Sequence, residues 1–325
     1  MAVVVTGAAG VELESTATRP LETDDPRAVL AVFAAIATWA YSSIVIKAIA
    51  TTPLVTAFWR VWSVIPLLWL VRLLPRGRRR PLDGRWLRAS LAGGVLFACH
   101  QFFFFNAIRW TSVTNVTVIG ALQPALILLV SRPLFDERVS GRQILLSMVA
   151  VAASGLVIGG ASGQTSLDLM GDLFAFGNLF AFTGYFLVSK QIRKWVEPFE
   201  YVIGMTTVAG LVMAGVCFLA DEDVLSPRGG QWLLLLSLGL LPGTLGHIAT
   251  NWAHGHARAL TISVIMLAGP VFSSLAAWLV LGERITPLQG VGAAVVLGSI
   301  GLVLVQLRPL RARELAEAVA ETDAP

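Results

Sequence analysis

Residues 121–143 (ALQPALILLVSRPLFDERVSGRQ) and residues 267–289 (LAGPVFSSLAAWLVLGERITPLQ) are two versions of one segment. Each begins with apolar residues around a proline, continues through a short charged turn and enters a second apolar stretch. The similarity extends outward, at a constant offset, to residues 111–160 and 257–306. The residues that coincide are Pro124 with Pro270, Glu137 with Glu283, Arg138 with Arg284, Gln143 with Gln289 and Gly155 with Gly301. The chain therefore contains an internal repeat.

The composition of the chain places this repeat in a membrane. Of 325 residues, 56% are hydrophobic and 14% are charged, and the mean hydropathy is +0.74, whereas soluble domains have about 25% charged residues. A helix needs about 20 apolar residues to cross a bilayer. The stretches that meet this length are 28–50, 53–74, 86–108, 112–132, 142–160, 170–190, 198–219, 231–252, 259–281 and 287–307. The sequence predicts an all-α integral membrane protein with ten transmembrane helices, surrounded by lipid.

The number of spans in each repeat determines how the two copies are oriented. Each copy contains five spans, and an odd number of crossings forces the second copy to lie inverted relative to the first. Inverted-topology repeats with helices broken near the membrane midplane are typical of transporters. We predict a first repeat at 28–160 and a second at 170–307, with a disordered acidic tail at 1–27 and a second tail at 308–325.

Basic residues are concentrated in the loops on one side of the predicted membrane. Cytoplasmic loops are enriched in Lys and Arg, so topology accounts for the net charge of +4. The basic run at 72–88 is therefore not interpreted as a nucleic-acid surface. Because the number of spans is even, both termini are expected in the cytoplasm. We expect a multi-pass protein of the cell membrane, with no nucleic-acid partner, and the sequence leaves a homodimer open.

Several kinds of site are disfavoured by the residues inside the spans. Cys99 and Cys217 lie in the middle of different spans, where thiols usually act as small apolar packing residues, and no metal-ligand spacing is present. We expect neither a metal nor a cofactor. Deep Asp and Glu are missing from the spans, which disfavours a sodium site or a carboxylate proton relay. If transport is coupled to protons, His100 or His247 is the expected carrier.

Two prolines occupy matching places in the fourth and ninth predicted spans. Pro124 and Pro270 lie about 18 Å into their helices, near the middle of the bilayer. Each removes one helical hydrogen bond and frees a carbonyl oxygen, that of Gly120 or of Met266. Free backbone groups at this depth are tolerated only against protein or a water-filled cavity. The matched positions favour a hinge that lines a cavity, and a packing kink is the alternative.

Each repeat also contains a capping box at the start of the following span. Ser140 precedes Gln143, and Thr286 precedes Gln289, with the spacing at which the two side chains satisfy each other's backbone amides. Pro287 occupies the first helical position of the second box, where proline is favoured. We interpret both boxes as structural.

Polar side chains recur in the middle of the third and eighth predicted spans. The repeat places Gln101 on His247, and His100 adjoins Gln101. In the eighth span Thr244, His247 and Asn251 have helical spacing and share one face. Such groups must face the interior of the bundle. They either bind a solute there or, alternatively, form hydrogen bonds between helices.

Two further features extend this polar region. Asn115 and Gln123 add polarity to the fourth span. Pro242, Gly243 and Gly246 loosen the backbone beside the polar face of the eighth span. We assign Asn115 and Gln123 to the same candidate solute site, and the two glycines, with Pro124 and Pro270, to its hinges.

Aromatic residues lie next to amides in the first and sixth spans. Alignment of these spans places Trp39 on Phe182, and Asn178, Phe182 and Tyr185 share one helical face. Aromatic rings beside amides suit an organic solute better than a bare ion, so Trp39 and Tyr185 join the candidate site. Packing in the core is the alternative.

Arg60 is the one deep cation in the predicted spans. A long basic side chain near a span end usually extends toward the interface, so we expect Arg60 to point outward. Contact with an anionic solute is the alternative. With so few buried cations, phosphorylated solutes are disfavoured.

These features together resemble the drug/metabolite transporter superfamily, in particular its ten-helix EamA-type branch. The resemblance spans 28–307 and rests on the order and spacing of Trp39…Lys47, Pro53…Arg60, Pro124…Glu137, Gly171-Asp172…Lys190 and Pro270…Glu283. It implies a 5+5 inverted bundle around a central cavity lined by the first, third, fourth, sixth, eighth and ninth helices. The cavity residues that it implies are Trp39, His100, Gln123, Tyr185, His247 and Asn251. Members of the family mostly export amino acids, other metabolites or drugs.

The sequence therefore predicts a secondary transporter that moves a small neutral or zwitterionic organic solute by alternating access, with export favoured. A lipid or drug flippase of the same fold is an alternative. An intramembrane transferase that uses His100 and His247 as bases is a further one. It is disfavoured because the sequence offers no deep carboxylate partner, no metal-ligand set and no large loop, so we do not expect an enzyme.

Overall fold

The chain was analysed as a computed structural model that describes residues 25–74, 82–111, 116, 119–135, 140–161, 169–282 and 284–322. These residues form helices joined by short loops, and they contain no β-strand. In chain order the helical spans are Pro26–Ala48 (first), Pro53–Trp62 with Ile65–Leu73 (second), Gly84–Trp110 (third), Gln123–Phe135 (fourth), Gly141–Ala161 (fifth), Leu169–Ile192 (sixth), Pro198–Leu219 (seventh), Gln231–Leu240 with Leu241–Leu245 and Gly246–His254 (eighth), Ala259–Met266 with Gly269–Leu281 (ninth) and Pro287–Thr322 (tenth).

The described part of the chain has nine helices that are long and apolar enough to cross a membrane. They coincide with nine of the ten predicted spans. The predicted fourth span, 112–132, begins among residues outside the described ranges, and Gln123–Phe135 is the described helix at its end. The chain is an all-α integral membrane protein, as predicted. The tenth helix continues to Thr322, well past its apolar part, whereas the acidic tail up to residue 24 lies outside the described residues.

Contacts between the two halves come in matched pairs. The third span packs along the sixth, and the eighth packs along the first; the third also packs along the seventh, and the eighth along the second. The first span contacts the ninth, and the sixth contacts the fourth. The fifth and tenth spans pack mainly against each other, with smaller contacts to the fourth and ninth. Exchanging the halves maps each of the other pairs onto its match and the fifth–tenth pair onto itself, as expected for two copies of one five-helix unit.

The inversion of the second copy is visible where the spans begin and end. The backbone amide of Asp25, which caps the start of the first span, donates to the carbonyl of His256 in the loop between the eighth and ninth spans (2.9 Å). At the end of the sixth span, the Nζ atom of Lys190 donates to the carbonyl of Ala257 in the same loop (2.6 Å). The first span therefore begins at the face where its counterpart, the sixth span, ends. We call this side the Asp25 face.

Proline breaks several spans into separate helices. Pro66 and Pro270 each stand in the first turn of a new helix, where the missing N–H costs no hydrogen bond. Pro124 has the same place in Gln123–Phe135. The sequence predicted that Pro270 interrupts the ninth span, as a hinge or as a packing kink, and the structure has two helices with a break between Met266 and Gly269. In that break the carbonyl of Leu267 accepts from the hydroxyl of Ser154 on the fifth span (3.5 Å).

Both predicted capping boxes are formed. The amide of Ser140 donates to the Gln143 side chain (3.0 Å), and the amide of Gln143 donates to the Ser140 hydroxyl (3.2 Å). The corresponding distances for Thr286 and Gln289 are 2.7 and 3.2 Å. Because the fifth and tenth spans both begin in this way, their first turns have the same geometry in the two copies.

Small residues bring the fifth and tenth spans into close contact, which is a common device between membrane helices. A Cβ atom at Gly292 would lie 2.9 Å from the carbonyl oxygen of Ala153 and 2.9 Å from the side chain of Val157, whereas a Cβ at Gly298 would meet nothing within 4 Å. We predict that Gly292→Leu lowers the free energy of unfolding by about 1–3 kcal/mol, because overpacking forces the backbones apart.

Gly298→Leu, the same substitution in the same helix, is the control and should leave stability nearly unchanged. The measurement is the melting temperature of the purified variants in detergent. Equal losses in the two variants would contradict the close packing of the fifth and tenth spans.

Candidate functional site

Aromatic and imidazole rings from both halves meet near the middle of the bundle. The first half contributes rings from the first and third spans, and the second half contributes rings from the sixth and eighth. We call this group the central cluster; its members are Trp39, Phe97, His100, Phe182, Tyr185 and His247. One contact between the halves is edge-on, between Phe97 and His247, whose ring centroids are 4.7 Å apart.

The central cluster follows the pseudo-symmetry of the repeat. The ring of Trp39 on the first span lies 5.7 Å from the imidazole of His247 on the eighth. Its counterpart, Phe182 on the sixth span, lies 4.7 Å from the imidazole of His100 on the third. Each half thus places one aromatic ring against an imidazole of the other half, so that any movement between the halves must alter both contacts.

A chain of hydrogen bonds crosses the sixth and eighth spans. The Nδ2 atom of Asn251 donates to the hydroxyl oxygen of Tyr185 (3.0 Å), and this hydroxyl lies 3.1 Å from the Nδ1 atom of His247. In the tautomer in which the hydroxyl donates its proton to Nδ1, a neutral His247 has its own proton on Nε2, and Nε2 has no hydrogen-bond partner among the described residues.

His100 is fixed in a similar way. Its Nδ1 atom lies 2.6 Å from the Oδ1 atom of Asn178 on the sixth span. Since an amide oxygen only accepts, the imidazole donates from Nδ1, and its Nε2 atom is an acceptor when the ring is neutral. With the Tyr185 hydroxyl donating to His247, the two imidazoles of the cluster offer opposite chemistry, with an acceptor on His100 and a donor on His247.

Several buried polar atoms without partners belong to the cluster and the residues beside it. An unpaired buried donor or acceptor costs about 1–3 kcal/mol, and in a membrane protein it is expected to face a solute pathway. Within the described ranges these atoms are Arg60 Nε, Gln101 Nε2, Thr244 Oγ1, His247 Nε2 and Asn251 Oδ1, and other unpaired atoms, such as Gln123 Nε2 and the ring nitrogens of His254, have no described contact with the cluster. Together the atoms at the cluster provide donors and acceptors that a polar solute would satisfy.

The backbone of the eighth span is distorted beside the cluster. Residues Leu241–Leu245 form one turn of π-helix, a feature that is frequent at functional sites. The indole Nε1 of Trp39 donates to the carbonyl of Pro242 in this turn (3.1 Å). A Cβ atom at Gly246 would lie 3.0 Å from the same Nε1 atom, so only glycine lets the first span approach this closely. Gly243 is crowded by the carbonyl of Leu238 (3.0 Å).

The structure brings together most of the residues that the sequence singled out. Trp39, His100, Tyr185 and His247 belong to the central cluster, and Asn251 is bonded to it. The two candidates from the predicted fourth span, Gln123 and Asn115, are not among the residues brought together. Gln123 is buried, but no contact described for it joins the cluster, and Asn115 lies outside the described residues.

Phe97 was missed in the sequence, because an apolar residue in an apolar span has no distinguishing signal. It lies one helical turn before Gln101 and therefore shares its face.

Arg60 does not point outward, as was expected from its place near a span end. Its side chain is 9% exposed, and its Nη1 atom donates to the Oε1 atom of Gln101 on the third span (3.3 Å). Gln101 is fully buried. The expectation was wrong because the second span packs here against the eighth, where a Cβ on Gly243 would lie 3.7 Å from Cγ of Arg60. Arg60 thus belongs to the polar interior.

This arrangement agrees with what is known of one family. The sequence profile of the EamA-like transporter family matches residues 26–159 and, a second time, residues 169–305. The chain belongs to the EamA-like transporter family. A solved crystal structure with 20% sequence identity superposes with a TM-score of 0.74 and covers 88% of this chain and 99% of the other, which shows that the fold is shared.

Curated relatives include transporters from bacteria and archaea. The aromatic amino acid exporter YddG of Ancylobacter novellus is 26% identical over 56% of this chain and 63% of its own length. The chain thus matches less than two thirds of that exporter. The uncharacterized transporter YwfM of Bacillus subtilis is 25% identical over 72% of this chain and 77% of its length, and an uncharacterized transporter of Archaeoglobus fulgidus is 24% identical over 81% and 92%.

The family and these relatives show that the chain is a membrane transporter and not an enzyme. The predicted membership of the EamA-type branch is therefore confirmed. The intramembrane transferase considered from the sequence is set aside, since the relatives that match most of the chain are named as transporters.

We predict that Tyr185→Phe destabilises the protein, because it leaves Nδ1 of His247 without a donor and removes one acceptor from Asn251. The expected loss in the free energy of unfolding is about 1 kcal/mol or more. Tyr41→Phe is the control, since the Tyr41 hydroxyl bonds Ser237 outside the cluster (2.9 Å). Melting temperatures in detergent measure both. A Tyr185→Phe protein as stable as wild type would rule out the hydrogen-bond chain.

Proposed function

We propose that the chain is a secondary transporter that moves a small neutral or zwitterionic organic solute across the cell membrane by alternating access, with export as the favoured direction. The observation on which this proposal depends is the central cluster with its unpaired polar atoms, which lies between the two inverted halves. A site shared by both halves is altered whenever one half rocks against the other.

The chemistry of the cluster supports an organic solute. Its members provide aromatic faces, one imidazole donor and one imidazole acceptor. The sequence places no Asp or Glu deep in any span, so a bare metal cation would find no carboxylate ligands there. Apolar walls with a few fixed polar groups are typical of sites for small organic molecules.

Amino acids with aromatic or large apolar side chains are the first solutes to test. They combine an apolar group with a polar head, as the cluster does. One relative is named as an exporter of aromatic amino acids, and we extend this substrate class to the present chain as part of the proposal. The proposal also includes other metabolites and drugs of similar size. A lipid or drug flippase differs from it only in having a more amphipathic solute.

The broken spans support alternating access. The second, eighth and ninth spans are each divided near their middles, and a helix break gives the chain a place to bend without losing further hydrogen bonds. We further propose that the Asp25 face is cytoplasmic, because this assignment places most Lys and Arg of the loops inside. Both termini then lie in the cytoplasm.

Counterflow into proteoliposomes tests this function without knowledge of a coupling ion. Vesicles that contain the purified protein are loaded with unlabelled L-phenylalanine and diluted into a trace of the labelled form. We expect labelled solute to accumulate transiently, and we expect His247→Ala to reduce the initial rate by about tenfold or more, since it removes a buried imidazole and its three ring contacts.

His256→Ala is the matched control. The imidazole of His256 stacks on Trp252 at the Asp25 face (4.2 Å) and is not part of the cluster, so its removal should leave counterflow unchanged. Equal rates in wild type and His247→Ala would remove the site assignment. Counterflow of a fluorescent lipid, with none of any amino acid, would support the flippase instead.

A further inference from the structure

Arg60 is a buried cation without a counterion. Its guanidinium lies inside the second span, is 9% exposed, and pairs with no carboxylate among the described residues. The ion pair that is described, between Arg72 and Glu200 (2.8 Å), lies at the Asp25 face. A charged side chain in the hydrocarbon region is costly, and it is usually paired or placed on a substrate pathway.

The free edge of the guanidinium faces in a defined direction. Nη1 is used by Gln101, whereas Nε has no partner within the described part of the chain. This leaves the edge formed by Nε and Nη2, and two parallel N–H groups on one edge match the two oxygens of a carboxylate. The geometry thus offers one bidentate position for a planar anion.

The side chains of Gln101 and His247 lie on the faces of the third and eighth spans that contact Arg60. Because the Oε1 atom of Gln101 accepts from Arg60, the amide presents its Nε2 group, which has no described partner. Phe97, one turn before Gln101, touches the imidazole of His247. A Cβ atom at Gly243, one turn before His247, would lie 3.7 Å from Cγ of Arg60. His247 therefore shares the face of the eighth span that contacts Arg60, and its Nε2 atom has no described partner.

The equivalent position of the second copy has no charge. Pro53 and Pro198 begin the second helices of the two copies. Seven residues further on, the first copy has Arg60 and the second has Met205, which is fully buried. The same position in the same five-helix unit is therefore filled by an apolar side chain, so packing does not explain the arginine.

We propose that Arg60, together with the Nε2 groups of Gln101 and His247, binds a carboxylate of the transported solute. This inference rests on the proposed function and narrows its solutes to those with a carboxylate, such as zwitterionic amino acids. The aromatic members of the central cluster then receive the apolar part of the solute.

The charge of the site favours a carboxylate over a phosphate. One guanidinium balances one negative charge, and the other two donors are neutral. A phosphate monoester has a charge of about −1.5 to −2 at pH 7, which would leave an uncompensated charge in the membrane interior.

The test compares amino acids with their carboxamides on full-length protein in detergent. L-phenylalanine is paired with L-phenylalaninamide, and L-leucine with L-leucinamide, so that only the carboxylate changes. Titrations followed by melting temperature give apparent Kd values, since a ligand that binds the native state raises its stability. We expect wild type to bind each amino acid about 10- to 100-fold more tightly than its amide, as for the loss of a charged hydrogen bond.

Variants assign this preference to Arg60. In Arg60→Met, which introduces the side chain of the equivalent position, the amino acid and its amide should bind equally weakly. Gln101→Glu is the second variant, and it keeps the positive charge of Arg60. It places a carboxylate beside Arg60, and it should be at least as stable as wild type while losing the preference for amino acids. Arg228→Met, in an exposed loop, is the control and should keep the preference.

Three outcomes would overturn the carboxylate site. If wild type binds each amide as tightly as its amino acid, the carboxylate site is wrong, but the chain is still proposed to transport neutral solutes. An unchanged preference in both Arg60→Met and Gln101→Glu assigns the carboxylate to another residue. If wild type binds no member of either pair, both the carboxylate site and the amino-acid form of the proposed function are wrong.

Discussion

The hydrocarbon interior of a membrane offers no hydrogen bonds, so every polar group at that depth must be satisfied by the protein or by what it binds. This constraint organises the whole chain. The apolar faces of the spans turn outward, and the amides, imidazoles and hydroxyls turn toward the contact between the halves. Where the protein satisfies them, as in the chain from Asn251 through Tyr185 to His247, they join helices. Where it does not, they mark the proposed solute site.

The two halves use one architecture for different chemistry. Equivalent positions hold Trp39 and Phe182, each of which packs on an imidazole of the other half, and Gln101 and His247, which differ in chemistry. Arg60 breaks this pattern, because its counterpart Met205 is apolar. A fold with twofold pseudo-symmetry can thus bind an asymmetric molecule, with the polar head toward one half. Breaks at Pro66, the π-helical turn at Leu241–Leu245 and Pro270 allow the halves to move about this site.

Much of this could be predicted from the sequence, because the governing signals are local. Length and hydropathy locate spans, and the spacing of Ser140 and Gln143 defines a capping box. The helical stripe of His247 and Asn251 indicated an inward face. Contacts between distant spans could not be predicted in the same way. Phe97 looks like any other apolar residue, and the direction of Arg60 depends on Gln101 and on the close approach of the eighth span.

The account depends most on the inversion of the two copies, and accessibility labelling measures it directly. Arg142 and Leu288 are equivalent, exposed residues at the starts of the fifth and tenth spans. Single cysteines, Arg142→Cys and Leu288→Cys, are placed in a background with Cys99→Ala and Cys217→Ala and treated in intact cells with a thiol reagent that does not cross membranes. The account predicts that Leu288→Cys is labelled directly and Arg142→Cys only after the membrane is opened. Labelling of both from the same side would contradict it.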